Sequence, residues 1–183
     1  EFVKRESVDS TLQKFMERIE QGGYVLDLGC GPAIASSIMR EKGLRVDSVD
    51  ASGEMVRLAN TKYDIGARKA YFKEITSVHI YDGIWANFSL LHATASDFPN
   101  ILSALQKAMK PGGVFHLGMK TGSGAARDKL GRFYAYYSQG ELTDCLKVAG
   151  FEVIDVVSGE SQVLAGEVEP WVVITSISGF DSV

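Results

Sequence analysis

Cysteine and histidine are scarce in this chain. Its 183 residues hold two cysteines, Cys30 and Cys145, and neither belongs to a CxxC pair or a Cys/His cluster. Two cysteines are too few for a disulfide framework, so we expect a reducing compartment, the cytoplasm. The three histidines, His79, His92 and His116, are scattered along the sequence and predict no metal site.

Long apolar runs and an excess of positive charge are also lacking. No run approaches the roughly 20 apolar residues of a membrane helix, and EFVKRESVDS at the start lacks the apolar core of a signal peptide. The sequence begins without Met, so we expect the natural chain to start upstream of Glu1. A net charge of −4 argues against nucleic acid or an anionic membrane as the main partner. The length predicts one domain over residues 1–183.

The chain does contain strand-like segments that alternate with helix-like ones. Such alternation predicts a parallel, doubly wound α/β sheet. About a dozen residues without helical period separate the last two strands, so we expect these two to form an antiparallel hairpin. The predicted strands are 24–28, 45–50, 67–75, 81–89, 114–119, 151–158 and 170–178, and the predicted helices are 8–20, 33–42, 52–60, 97–109 and 138–149.

A glycine pair follows the first predicted strand in YVLDLGCGPAIA. Ligands of open α/β sheets bind beyond the carboxyl ends of the strands, and Gly29 and Gly31 would let a ligand approach the backbone there. Asp50 ends the second strand, about 20 residues later, where an acid accepts hydrogen bonds from both ribose hydroxyls. The pattern predicts an adenosine-containing ligand.

Two residues around the glycine pair favour a ligand without phosphate. Ile34 stands at the sixth position, where the dinucleotide fingerprint has Gly or Ala, and the acidic Asp27 comes just before the loop. A pyrophosphate favours a helix N-terminus free of negative charge, whereas an acid there suits a ligand that carries positive charge. S-adenosylmethionine has an ammonium, a sulfonium and a ribose, so it fits this pattern.

Five blocks in order resemble the class I S-adenosylmethionine-dependent methyltransferases of small-molecule type. They cover about residues 24 to 177, and the family implies a Rossmann-like fold with strand order 3-2-1-4-5-7-6 and an antiparallel seventh strand. The cofactor would be S-adenosylmethionine and the product S-adenosylhomocysteine. The blocks are VLDLGCGPA, VDSVDAS with the following Glu54-Met55, YDGIWANFSLLHAT, ALQKAMKPGGVFHLGMK and YSQGELTDCLKVAGFEVIDV.

The resemblance implies cofactor contacts in the loops that follow the first four strands. Carried over position by position, they are Asp27, Gly29, Cys30 and Gly31 for the methionine part, Asp50 for the ribose hydroxyls, Ala51, Met55, Glu74 and Ile75 for the adenine, and Asn87, Phe88 and Ser89 beside the methionyl chain and the methyl group.

Two positions and one segment depart from the family pattern. Ala33 replaces a third glycine, and Glu74 stands where members usually carry an Asp. The tyrosine-bearing segment that covers the cofactor in many relatives is absent or lies upstream of Glu1. Arg5 is then the one residue before the first helix that would reach the cofactor carboxylate, the alternative being a plain surface arginine.

The methyl acceptor is not encoded in the cofactor motifs, because methyl transfer mainly needs an aligned nucleophile and excluded water. His92 is a candidate general base, the alternative being a histidine that caps or packs behind the fourth strand. Tyr134 and Tyr137 are weaker candidates in an insertion, 121–137, that covers the substrate side or packs as an ordinary lid. An NPPY-like motif is absent after the fourth strand, so we expect a small-metabolite acceptor.

Two other classes of function stay open at this point. One is an NAD(P)-binding oxidoreductase of Rossmann type, which Ile34 and the closing hairpin disfavour. The other is a non-catalytic methyltransferase-like binding module, which the intact Asp27, glycine pair and Asp50 disfavour. Both a monomer and a homodimer fit the sequence.

Overall fold

The computed structural model describes residues 9–162 and 167–179. Their centre is a seven-stranded sheet with the order β3-β2-β1-β4-β5-β9-β8. The first five of these strands run parallel, and β9 runs antiparallel to both β5 and β8. The strands are β1 Tyr24–Leu28, β2 Arg45–Asp50, β3 Arg68–Lys69, β4 Tyr81–Asn87, β5 Met109–Lys120, β8 Phe151–Gln162 and β9 Val168–Ser178.

A separate two-stranded hairpin lies between β5 and the last helix. It consists of β6 Ala125–Arg127 and β7 Phe133–Ala135, which pair antiparallel. When only the strands of the large sheet are counted, the order is 3-2-1-4-5-7-6 with an antiparallel seventh strand. The predicted fold class is therefore confirmed.

Helix ends follow local capping chemistry. The side chains of Asp9 and Ser52 accept hydrogen bonds from the first-turn N–H groups of α1 and α3, and Ser138 with Glu141 forms a capping box on α5. Among the described residues the helices are α1 Ser10–Glu17, α2 Ile34–Glu41, α3 Gly53–Tyr63, α4 Phe98–Ala108 and α5 Gln139–Val148.

The alternation of side chains along β1 builds a core on each face of the sheet. Leu26 and Leu28 pack into the main core, to which α4 and α5 contribute buried leucines. Val25 packs on the opposite face with α1, α2 and Trp85. Burial on both faces is what a central parallel strand requires, and it fixes the carboxyl ends of β1, β2 and β4 at one edge.

Two segments differ from the sequence expectation. The strand predicted over 67–75 is only Arg68–Lys69, because the side chain of Asn60 bonds both backbone groups of Ala67 and a 3-10 turn forms at Phe72–Glu74. The glycine-rich segment 120–131, predicted as a loop, contains β6.

A search of the described residues for membrane-crossing helices found none that is long and apolar enough.

Candidate cofactor and acceptor site

The loop after β1 is fixed to the end of β2 by backbone hydrogen bonds. The N–H groups of Gly29 and Cys30 both donate to the carbonyl oxygen of Val49, over 2.9 and 2.8 Å. Gly29, Gly31 and Ala33 all have positive φ, of 77°, 53° and 64°. The first two are glycines, for which this conformation carries no steric cost. Backbone bonds to β2 and the glycine dihedral angles therefore define the shape of this loop.

The two glycines of this loop serve different purposes. A Cβ at Gly29 would lie 2.4 Å from Cβ of Ser89, whose hydroxyl donates to the carbonyl oxygen of Leu28 over 2.7 Å. Gly29 therefore lets the β1 and β4 loops pack together. A Cβ at Gly31 would meet no atom within 4 Å, so this glycine faces open space, where a ligand can approach the backbone.

Asp50 connects the two cofactor loops. One carboxylate oxygen accepts from the N–H of Gly31 and the other from the N–H of Ser52, each over 2.8 Å. A carboxylate oxygen has two lone pairs, so each oxygen can accept one more hydrogen bond. The side chain is half-buried and thus accessible from the edge. Two vicinal ribose hydroxyls match this pair of acceptors.

Asp27 is buried at 2% exposure and its carboxylate meets neutral donors. Ser36, in the first turn of α2, donates both its hydroxyl, over 2.6 Å, and its backbone N–H. The Ser36 hydroxyl also lies 2.6 Å from that of Ser48 on β2. Burial raises the pKa of Asp27 to about 6, and the nearby charge of Asp50 adds to the rise. A cationic ligand at this edge would favour the ionised form.

Cys30 contributes its backbone rather than a reactive thiol. Its side chain is buried, and that burial, together with the charges of Asp27 and Asp50, raises the pKa of the thiol to about 12. A thiol with this pKa is a poor nucleophile at neutral pH.

The residues expected around the adenine separate into two groups. Ala51 is exposed and Met55 half-buried at the start of α3, beside Asp50. The carboxylate of Glu74 instead accepts from the N–H of Tyr71 over 2.7 Å, and Ile75 is 2% exposed within the main core. Ala51 and Met55 thus lie close to Asp50, whereas the carboxylate of Glu74 bonds to the backbone at the start of the 3-10 helix Phe72–Glu74.

Asn87 and Phe88 form a constrained turn at the end of β4. Phe88 has a φ of 55°, and its N–H donates to the carbonyl oxygen of Gly118 on β5 over 3.0 Å. Nε2 of the buried His116 lies 2.9 Å from Oδ1 of Asn87. The sequence did not predict this role of His116. The signal is a histidine two pairing positions before Asn87 on the neighbouring strand, which places both side chains on the same face of the sheet.

His92 and Tyr134 meet at the β6–β7 hairpin. Nδ1 of the exposed His92 lies 2.8 Å from the carbonyl oxygen of Phe133 in the β6–β7 hairpin, and its ring contacts that of Tyr134 edge-on at 4.8 Å. Tyr137 packs elsewhere: its ring stacks on Phe98 at 4.9 Å, and its buried hydroxyl has no hydrogen-bond partner within the described part of the chain.

Comparison with known proteins defines the class. A family model described as a methyltransferase domain matches residues 1–156. The chain belongs to the class I S-adenosylmethionine-dependent methyltransferases, as the five sequence blocks predicted. The cofactor prediction agrees with this family, and the oxidoreductase alternative does not. Arg5, the candidate for the cofactor carboxylate, lies outside the described residues.

Two curated relatives match the sequence over part of its length. The malonyl-[acyl-carrier protein] O-methyltransferase of Pseudescherichia vulneris is 30% identical over 61% of this chain and 44% of its own length. The cypemycin N-terminal methyltransferase of a Streptomyces species is 31% identical over 52% of this chain and 41% of its own. The chain therefore spans less than half of the length of these relatives.

Solved structures support the fold. A methyltransferase from Methanosarcina mazei superposes with a TM-score of 0.81 at 17% identity, over 96% of this chain and all of the other. The 1,6-didemethyltoxoflavin-N1-methyltransferase of Burkholderia thailandensis, crystallised with its acceptor and S-adenosylhomocysteine, gives 0.73 at 20% identity, over 94% and 80% of the two chains.

Proposed function

We propose that this protein binds S-adenosylmethionine at the carboxyl edge of β1, β2 and β4 and transfers its methyl group to a small-molecule acceptor. The observation that carries the proposal is the geometry of Asp50. Its carboxylate is held by Gly31 and Ser52 and keeps one free acceptor position on each oxygen, beside a glycine that faces open space.

The two carboxylates near this loop suit a cationic ligand without phosphate. The buried carboxylate of Asp27 has only neutral Ser36 donors, and Asp50 places a second negative charge near it. A pyrophosphate in this loop would meet both charges, whereas an ammonium and a sulfonium are attracted by them. We assign the methionine part to Gly29, Cys30 and Gly31, and the adenine to the Ala51–Met55 side.

We further propose that Asn87, Phe88 and Ser89 lie beside the methyl group, and that the acceptor binds between this turn and segment 121–137. The malonyl-[acyl-carrier protein], cypemycin and 1,6-didemethyltoxoflavin methyltransferases are named for acceptors other than nucleic acid, and the last of the three for a small molecule, which supports this assignment. The free thiols of Cys30 and Cys145 support a reducing compartment, the cytoplasm.

His92 is our candidate proton acceptor for acceptors that must lose a proton. A carbonyl oxygen can only accept, so in the bond to Phe133 the proton is on Nδ1 of His92. The neutral ring then carries its lone pair on Nε2, which is the protonation state that a general base needs.

A methylation screen tests the function. Purified protein would be incubated with methyl-labelled S-adenosylmethionine and a panel of small metabolites that bear hydroxyl, amine, thiol and carboxylate groups. We expect labelled product with at least one class, and loss of the product in Asp50→Ala. Tight binding of S-adenosylhomocysteine with no labelled product from any class would favour the non-catalytic binding module instead.

The variant His92→Gln distinguishes a general base from a residue that only packs against Tyr134. If His92 is the base, methylation of a hydroxyl or amine slows in the variant, because these acceptors must lose a proton, while methylation of a carboxylate keeps its rate. Equal rates for both acceptor types in the variant would leave His92 with only the packing role against Tyr134.

A further inference from the structure

A buried imidazole lies directly beneath the proposed methyl-transfer site. His116 is 1% exposed on β5, although its ring carries two polar nitrogens. The ring stacks on Trp85 at 3.6 Å with an angle of 16°, and Phe15 of α1 contacts it edge-on at 6.4 Å. Burial lowers the pKa of His116 to about 3, so the ring is neutral at physiological pH.

One nitrogen of this ring has a defined partner. Nε2 of His116 lies 2.9 Å from Oδ1 of Asn87 on the neighbouring strand. Oδ1 of an amide only accepts hydrogen bonds, so Nε2 carries the proton and donates it. Because Oδ1 of Asn87 is bonded to His116, the NH₂ group, with two donors, is the part of the amide that is left to bind a ligand.

The backbone around Asn87 gives the side chain little freedom. Gly118 pairs with Asn87 across β4 and β5, and a Cβ there would lie 2.8 Å from the same Oδ1 and 3.1 Å from the ring of Phe88. The N–H of Phe88 is fixed to the carbonyl oxygen of Gly118. The strand pairing, the absence of a side chain at Gly118 and the His116 bond together specify one orientation of the amide.

We propose that His116 is a positioning residue, which acts through Asn87 to present the amide NH₂ group to the cofactor. Its donors suit the carboxylate or another acceptor atom of the methionyl chain, and this inference rests on the function proposed above. The neutral stacked imidazole suits the task because it donates one directed hydrogen bond without placing a charge under the site.

The test is calorimetric titration with S-adenosylhomocysteine, with thermal unfolding measured on the same samples. His116→Phe keeps an aromatic ring on Trp85 and removes the donor. We expect its affinity for S-adenosylhomocysteine to fall roughly tenfold, the scale of one hydrogen bond to a charged group. Asn87→Ala should fall by at least as much, and adding His116→Phe to it should cause no further loss, because the two act as one unit.

Phe115→Leu is the matched control. Phe115 neighbours His116 on β5, is fully buried, and packs on the opposite face against Phe151. We expect this variant to unfold at a lower temperature and to keep the wild-type affinity. If His116→Phe behaves in the same way, with lower stability but unchanged affinity, His116 is only a core residue and the inference is wrong.

The protonation of His116 can be checked without ligand. A ¹⁵N spectrum of wild-type protein should show the proton on Nε2, with the resonance changed in Asn87→Ala. A proton on Nδ1 would overturn the inference while leaving the proposed function untouched. Wild-type protein that shows the Nε2 proton but does not bind S-adenosylhomocysteine would instead overturn the proposed function.

Discussion

The proposed cofactor side and the proposed acceptor side of this site differ in the groups that hold them in place. On the cofactor side, backbone groups of Gly29 and Gly31 bond to Val49 and Asp50, and buried side chains hold the loops together. On the acceptor side, β6 is exposed along its whole length, and the hairpin reaches the fold through a few side chains such as His92 and Tyr134.

This difference assigns separate tasks to the two regions. Backbone geometry in the cofactor loops depends on glycines with positive φ, so few substitutions are compatible with it. Strand β6 is exposed and can exchange side chains with little effect on the core, whereas Tyr134 and Ala135 of β7 are buried. We propose that the exposed part of the hairpin decides which acceptor is bound. Substitutions in the loops after β1 and β2 should therefore change cofactor binding, and acceptor choice should change separately.

The largest effect is expected from Gly29→Val. The new side chain would need a φ of 77° and would lie within 2.4 Å of Ser89. We expect the free energy of unfolding to fall by about 2–5 kcal/mol, from backbone strain plus overpacking, and binding of S-adenosylhomocysteine to be lost. Urea unfolding measures the change. Gly53→Ala, at the exposed start of α3, is the control and should change stability by less than about 1 kcal/mol.

Asp50→Ala should weaken cofactor binding by about 1–3 kcal/mol, which is roughly 5- to 150-fold in the dissociation constant. The variant loses the ribose acceptors and also the bonds that hold Gly31 and Ser52. Calorimetric titration with S-adenosylhomocysteine measures the dissociation constant of the variant. Glu41→Ala, which removes an exposed acid at the end of α2, should bind as the wild type does. Similar losses in both variants would point to net charge rather than to the site.

Asp27→Asn tests the buried charge through pH. The folded-state pKa of about 6 lies above the ordinary value of 3.8, so ionisation of Asp27 destabilises the folded protein as pH rises through this range. Above pH 7 the variant should be more stable than the wild type, by on the order of 1–3 kcal/mol. It should also bind S-adenosylmethionine less tightly, because a charge that attracts the sulfonium is gone.

Urea unfolding between pH 3 and pH 8 measures the stability difference. The two proteins should differ most above pH 6 and converge below about pH 4, where Asp27 is protonated in the unfolded chain as well. A constant difference across this range would mean that ionisation of Asp27 is not its cause.

The smallest effect is expected on the acceptor side. Asp128 accepts from the guanidinium of Arg132 within the hairpin, over 2.6 Å, in an exposed ion pair. Asp128→Ala removes this ion pair and two exposed hydrogen bonds from the N–H groups of Leu130 and Arg132. The unfolding temperature should fall only slightly and the affinity for S-adenosylhomocysteine should not change, because exposed polar contacts contribute little. A clear loss of cofactor affinity would show that the two sides are not independent.

The sequence predicted those parts of the site in which a residue type and a spacing suffice. The glycine loop, Asp50 at the end of the second strand and the antiparallel last strand all follow from local pattern. It did not predict that Ser36 and Ser48 hold Asp27, or that His116 holds Asn87, because these partners come together only through strand pairing and helix packing.

In two segments the observed structure differs from the one that the sequence pattern predicts, because of local hydrogen bonds and strand pairing. The β-like run 67–75 contains a strand only at Arg68–Lys69 and turns into a 3-10 helix at Phe72–Glu74, where the carboxylate of Glu74 accepts from the N–H of Tyr71. The glycine-rich segment after β5 forms a short hairpin whose pairing, Ala126 with Tyr134, joins residues that no periodicity links. The acceptor side is thus the part that a single sequence describes least.

The most direct test of the account is calorimetric titration of the wild-type protein with S-adenosylhomocysteine and, in parallel, with NADH. We predict one S-adenosylhomocysteine bound per chain and no heat from NADH. Folded protein that binds NADH, or that binds neither ligand, would contradict the assignment of the carboxyl edge of β1, β2 and β4 as an S-adenosylmethionine site.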